Sequence, residues 1–115
     1  MSTLESVLRE FGEKVNAHPR LRRMLAGWDR DTLVTSLDTG ASYLMKFADS
    51  HVTEILPSAG EPQTDIDVRA CEEVLVAVFS GRENPAQLFL DGTLQVFASD
   101  KDQVKLDAIT MVLWD

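Results

Sequence analysis

A chain of 115 residues with 44% apolar content, one cysteine and a net charge of −8 is sized for a single domain, residues 1–115, with a core of its own. The charge excludes nucleic acid as an expected partner, because phosphate binding needs a basic surface, and it opposes long-range attraction to anionic bilayers. Cys71 alone cannot form an intrachain disulfide, no apolar run reaches the roughly 18 residues of a membrane span, and residues 1–5 lack an apolar signal core, so the expected location is the cytoplasm.

Residues 1–27 read as an N-terminal helical segment. Leu4, Val7, Leu8, Phe11 and Val15 form one stripe at helical spacing, and Ser2 with Glu5 has the form of a capping box. His18-Pro19 interrupts this helix, and a short second helix over residues 19–26 is expected to stop at Gly27. Residues 1–30 carry a net +2 and residues 31–115 a net −10. The small basic cluster Arg20, Arg22 and Arg23 is read as a solvated helix face.

After Trp28 the period changes to two. Residues 32–37 are β-prone and are followed by Asp38-Thr39-Gly40, a hairpin turn. Residues 41–47 return as a strand with Tyr43, Met45 and Phe47 on one face. Asp49-Ser50 turns into a third strand at 51–56, and residues 57–63 are a loop by composition. Residues 64–69 alternate, with Ile66 and Val68 inward. A helix follows, with Glu72 and Glu73 in its first turn and Val74, Leu75, Val78 and Phe79 as its buried stripe. Gly81 suits a left-handed helix stop. Asn84-Pro85 opens a short helix carrying Leu88, Phe89 and Leu90, Gly92 turns the chain into a fifth strand at 94–98, and residues 103–113 form the last helix. Strands joined by hairpins and then helices predict an α+β layer, with helices on one face of a mostly antiparallel sheet.

The run Ser80-Gly81, Pro85, Phe89, Gly92, Leu94 and Val96 resembles the sterol carrier protein 2 (SCP-2) domain family, in the form of a small stand-alone bacterial-type member. The resemblance extends over about residues 30–110 and is strongest over 64–97. It implies a five-stranded sheet with an apolar tunnel between sheet and helices. The chain departs from the family pattern at Ala98-Ser99, at the outward Phe97, and at Ala70-Cys71, which offers the following helix no obvious cap. Carried over by position, the tunnel falls on Leu75, Phe79, Leu88, Phe89, Leu94, Val96, Leu106 and Ile109, with ordinary core as the competing reading of each.

The chemistry-bearing residues do not assemble into a catalytic pattern. Cys71 is followed by Glu72 and Glu73, and neighbouring carboxylates do not activate a thiol as a nucleophile. His18 and His51 have no partner at helical spacing for a metal. Asp65 and Asp67 read as a solvated strand edge, and Gly81-Arg82-Glu83 lacks the spacing of a phosphate loop. No enzyme activity, metal or cofactor is expected. The resemblance implies a carrier of a sterol, fatty acid or fatty acyl-CoA, with transient membrane contact and no protein partner specified. Its alternatives are an accessory protein presenting an isoprenoid or quinone-type lipid to biosynthetic enzymes, or a protein-interaction module with a filled cavity. Sixteen buried methylenes at about 0.8 kcal/mol each, less association costs of about 4–10 kcal/mol, predict micromolar or tighter affinity. The last helix, roughly 10 residues long and so marginal alone, is expected to be held by packing and to gate the tunnel. Val104, Ala108, Ile109, Val112 and Leu113 lie on its apolar arc, and Asp107 and Thr110 on its polar side.

Overall fold

The computed structural model describes residues 3–58 and 63–114; the expected Ser2 cap and most of the expected loop lie outside the described residues. Helix α1 (Thr3–Asn16) buries Leu4, Leu8, Phe11 and Val15 of the predicted stripe, with Gly12 beside them and Val7 only partly covered. Gly12 lets it lie close on the sheet, since a Cβ there would stand 3.3 Å from both Val52 and Ile55. Helix α2 (Pro19–Met24) starts at its proline, and Gly27, at φ +74°, turns the chain into the first strand.

The strands are β1 (Arg30–Ser36), β2 (Ser42–Ala48), β3 (His51–Ser58), β4 (Ile66–Ala70) and β5 (Gln95–Phe97). They form one sheet in the order β3-β2-β1-β4-β5. The β1–β4 pair is parallel and the other pairs are antiparallel. Register places Thr32 between Met45 and Ile66, and Val34 between Tyr43 and Val68, with Val96 beyond Val68. These side chains share the face that the helices cover. The opposite face carries the Asp67–Arg69 ion pair (2.8 Å) and an exposed Phe97.

Most boundaries differ from the sequence reading by one or two residues, and the larger shifts in β3 and α5 have physical reasons. Strand β3 runs through Pro57 and Ser58, residues read as loop; it is an edge strand, where a missing N–H is tolerated. The side-chain amide of Asn16 lies along this edge, donating from Nδ2 to the Val52 carbonyl (3.0 Å) and accepting at Oδ1 from the Val52 N–H (2.7 Å). The last helix, α5 (Asp100–Trp114), has 15 residues rather than about 10. Ser99 starts it early: its Oγ accepts from the Asp102 N–H (3.2 Å) and its carbonyl from the Gln103 N–H (2.9 Å).

Helix α3 (Glu72–Phe79) buries Leu75, Val78 and Phe79, with Val74 only partly covered. Its missing cap comes from elsewhere in the chain. Asp38, in the β1–β2 turn, accepts from the Glu72 N–H through Oδ1 (2.9 Å) and from the Ser36 hydroxyl (2.8 Å). Those bonds, the Glu72 N–H first, hold the Asp38 carboxyl below its usual range. Helix α4 (Pro85–Leu90) is capped by Asn84, whose side chain accepts from the Ala86 N–H (2.9 Å). It buries no residue and lies between Gly81 and Gly92, both at φ +83°.

Candidate functional site

Between the helix-covered face of the sheet and the helices lies a cavity of about 340 Å³. Its floor is Thr32, Met45, Phe47, Val68 and Val96 from the sheet. Phe11 and Phe79 meet edge to face at one wall, with ring centroids 5.1 Å apart. Leu94, Leu106 and Ile109 close another, and Pro85, Ala86, Phe89 and Leu90 of α4 complete the lining. Phe89 is 41% exposed and Leu90 79% exposed, although both border the cavity. The mouth therefore lies along α4, where exposed Asp107 of α5 also reaches it.

Polar groups in this lining are few. Gln103 donates through Nε2 to the Ala98 carbonyl (3.1 Å), and the Thr110 hydroxyl donates to the Asp107 carbonyl (2.9 Å). Thr32 is different: it is 1% exposed, and its Oγ1 has no hydrogen-bond partner among the described residues. An unpaired buried hydroxyl costs about 1–3 kcal/mol, and valine would fill the same space without that cost.

Helix α5 walls the cavity and is anchored by more than packing. Its inner stripe passes through the buried Asp102 and Ile109 and the partly buried Leu106 and Leu113, at steps of four, three and four, so Val104 points the other way and is exposed. The expected arc placed Val104 inside because the helix was read as starting at residue 103, which left Asp102 out of it. Asp102 instead accepts from Trp28 Nε1 (2.9 Å) and from Arg30 Nε (3.1 Å to each oxygen). Farther along, Lys105 donates to the Met24 carbonyl (2.8 Å). At the far end the Trp114 ring sits on Gly81, where a Cβ would lie 2.6 Å from it, and Lys14 stands 4.7 Å from the ring centroid. The expectation of a helix held by packing alone does not survive these contacts.

Of the positions expected to line a tunnel, Phe79, Phe89, Leu94, Val96, Leu106 and Ile109 come together around the cavity. Leu75 is wholly buried in the core beneath α3, and Leu88 packs against that core from α4; neither borders the cavity. Sequence reasoning missed Phe11, Thr32, Met45, Phe47, Val68 and Val78 as lining. The strand alternation placed Met45, Phe47 and Val68 on the inner face, but alternation does not separate cavity floor from filled core.

Most of the residues weighed for catalysis make local structural contacts, while His18 Nδ1 is buried with no partner among the described residues. Cys71 occupies the N-cap position of α3. Asp65 lies before β4 and accepts from the Asp31 N–H (3.1 Å), while Asp67 pairs with Arg69. The His51 ring is 2.9 Å from the Asp49 carbonyl. Among the described residues no group of three or more His, Cys, Asp or Glu could hold a metal ion, and no helix is long and apolar enough to cross a membrane.

No family model matches the sequence, and no curated protein matches it either. Solved structures do match. A crystal structure of sterol carrier protein 2 superimposes with a TM-score of 0.70 at 12% identity, covering 100% of this chain and 96% of that one. A UbiJ-SCP2 ubiquinone synthesis protein gives 0.69 at 16% identity over 91% of this chain and 85% of that one. The inverting sec-alkylsulfatase Pisa1 from Pseudomonas sp. gives 0.63 at 15% identity over 82% of this chain, which spans 14% of the enzyme. The fold is that of SCP-2, α+β with a five-stranded, mostly antiparallel sheet.

Proposed function

We propose that the chain is a non-catalytic lipid-binding domain that carries a single-chain lipid in the cavity between sheet and helices. The observation that carries the reading is the cavity itself: about 340 Å³, lined almost wholly by apolar side chains, and open beside α4. That volume stands at the low end of the roughly 300–1,000 Å³ of small-molecule sites. It equals about eleven waters at about 30 Å³ each, and so takes about ten methylenes rather than sixteen.

The smaller size changes the energetics. Ten methylenes contribute about 8 kcal/mol, of which association costs remove at least about 4 kcal/mol. At most ~4 kcal/mol remains, a Kd no tighter than about 1 mM. Micromolar binding then needs a further contribution, from a polar contact inside or from chain lying over Phe89 and Leu90 at the mouth. A second reading, presentation of a lipid to biosynthetic enzymes, is favoured by the likeness to the ubiquinone synthesis protein.

The test is native mass spectrometry of protein purified without detergent, followed by titration with a fluorescent single-chain lipid. We expect a lipid-sized adduct or saturable uptake, reduced at least about tenfold by Phe89→Asp, which places a charge against the chain. Helix α4 buries no residue, so this variant is expected to keep its fold, which circular dichroism checks. A folded wild-type protein that takes up no lipid would end the carrier reading.

A further inference from the structure

We infer that the cavity selects an uncharged single-chain lipid bearing a hydrogen-bonding oxygen, such as an alcohol, ketone or ester, and that the Thr32 hydroxyl donates to that oxygen. The inference rests on the lipid-binding reading above and names its ligand class.

Three observations converge on it. First, Thr32 lines the cavity, and its Oγ1 is buried and lacks a partner among the described residues, whereas the side-chain donors of Gln103 and Thr110 are already engaged. Its lateral neighbours in the sheet are Met45 and Ile66, which offer at most a weakly accepting sulfur, and Oγ1 bonds to neither. A ligand oxygen at this point supplies what the fold leaves out.

Second, the lining described contains no Lys, Arg or His. A carboxylate or phosphate pushed inside would face one hydroxyl and otherwise hydrocarbon, and burying an ion on those terms is far costlier than burying a neutral oxygen. Third, the charged side chain at the mouth is Asp107, itself an acid. An anionic head left outside would meet a like charge, with no base in the lining to offset it. Both ends of the cavity thus disfavour fatty acid and acyl-CoA, and the interior favours a neutral oxygen. The volume sets the buried length at about ten heavy atoms.

The probes are decane, decan-1-ol, decan-2-one and decanoate, titrated against the full chain while the methyl resonances of Val68 and Ile109 are followed by NMR. Thr32→Val keeps the shape and removes the hydroxyl; Thr32→Ser keeps the hydroxyl. We expect wild type to bind the alcohol and the ketone more tightly than decanoate. Thr32→Val should weaken the alcohol and the ketone about fivefold to tenfold and leave decane unchanged, and Thr32→Ser should restore them. A direct readout is the infrared carbonyl stretch of bound decan-2-one, lowered by a hydrogen bond in wild type and Thr32→Ser and returned to its apolar value in Thr32→Val.

If decan-2-one binds with the same affinity and the same carbonyl frequency in wild type and Thr32→Val, Thr32 is not a ligand contact. Preferential binding of decanoate overturns the uncharged class even where uptake is real. Should Thr32→Val not fold, an unshifted carbonyl in the wild-type complex overturns the hydrogen bond on its own. Failure of wild type to bind any of the four ends the carrier reading itself, which separates that failure from the others.

Discussion

Asp102 is 5% exposed on a stripe that is otherwise apolar, and its bonds explain why a carboxylate is tolerated there. Burial pushes its carboxyl up, but hydrogen bonds from Trp28 and Arg30, together with the Arg30 charge, outweigh burial and hold it below the ordinary range. A carboxyl that is more acidic in the folded chain stabilises the fold fully above its unfolded pKa of about 3.9. That stabilisation is lost as pH falls through the folded value. Asp102→Asn should therefore lower the unfolding free energy by about 2 kcal/mol at neutral pH, and the difference from wild type should shrink towards pH 3 in urea titrations. A gap that stays constant with pH would assign the loss to packing instead. Neither Asp102 nor Thr32 was legible as special in the sequence. An acid on a helix reads as solvent-facing, and a threonine in a strand reads as β-propensity; what distinguishes each is its surroundings, which for Asp102 come from more than 70 residues away.

Among the elements, the contrast between α4 and α5 bears on how a ligand would enter on the proposed reading. Helix α5 is tied near its start by Asp102, midway by Lys105 and at its end by Trp114. Helix α4 has six residues, none buried, between two glycines in the left-handed region. So short a helix has little stability of its own, and an element with few buried contacts opens most easily. On the proposed reading, these contacts favour α4 over α5 as the gate. In hydrogen-exchange mass spectrometry, amides of residues 86–90 should exchange at least about tenfold faster than those around Ile109, and a bound lipid should slow them. Equal protection of the two helices in the free protein would return the gate to α5. The elements themselves were legible where periodicity or a cap spoke: the α1 stripe, the Asn84-Pro85 start and the Tyr43-Met45-Phe47 face. The early start of α5 was not, because Ser99-Asp100 reads equally well as a turn.

At the scale of the whole molecule, the sheet order and the layering follow the expected α+β pattern, since hairpin turns at Asp38-Thr39-Gly40 and Asp49-Ser50 fix which strands are neighbours. The parallel β1–β4 pairing was not legible residue by residue, because no local turn specifies a strand that arrives from across the sheet. Nor was the cavity volume, which depends on how far helices stand off a floor that the alternation pattern describes only as apolar. The Asn16 amide described beside β3 has its consequence here, outside any one molecule. A bare sheet edge is a template on which another copy can lay its own strand. Asn16 occupies both hydrogen-bonding groups of Val52 and so imitates a stretch of neighbouring chain where a second molecule would begin to pair. The other edge, β5, is only three residues long. Asn16→Leu should leave the far-ultraviolet dichroism intact yet raise light scattering on concentration or gentle heating, whereas a variant as monodisperse as wild type would show that β3 is protected by other means. A side chain that seems merely to fasten a helix to a strand would then also be what keeps crowded copies of the protein from polymerising.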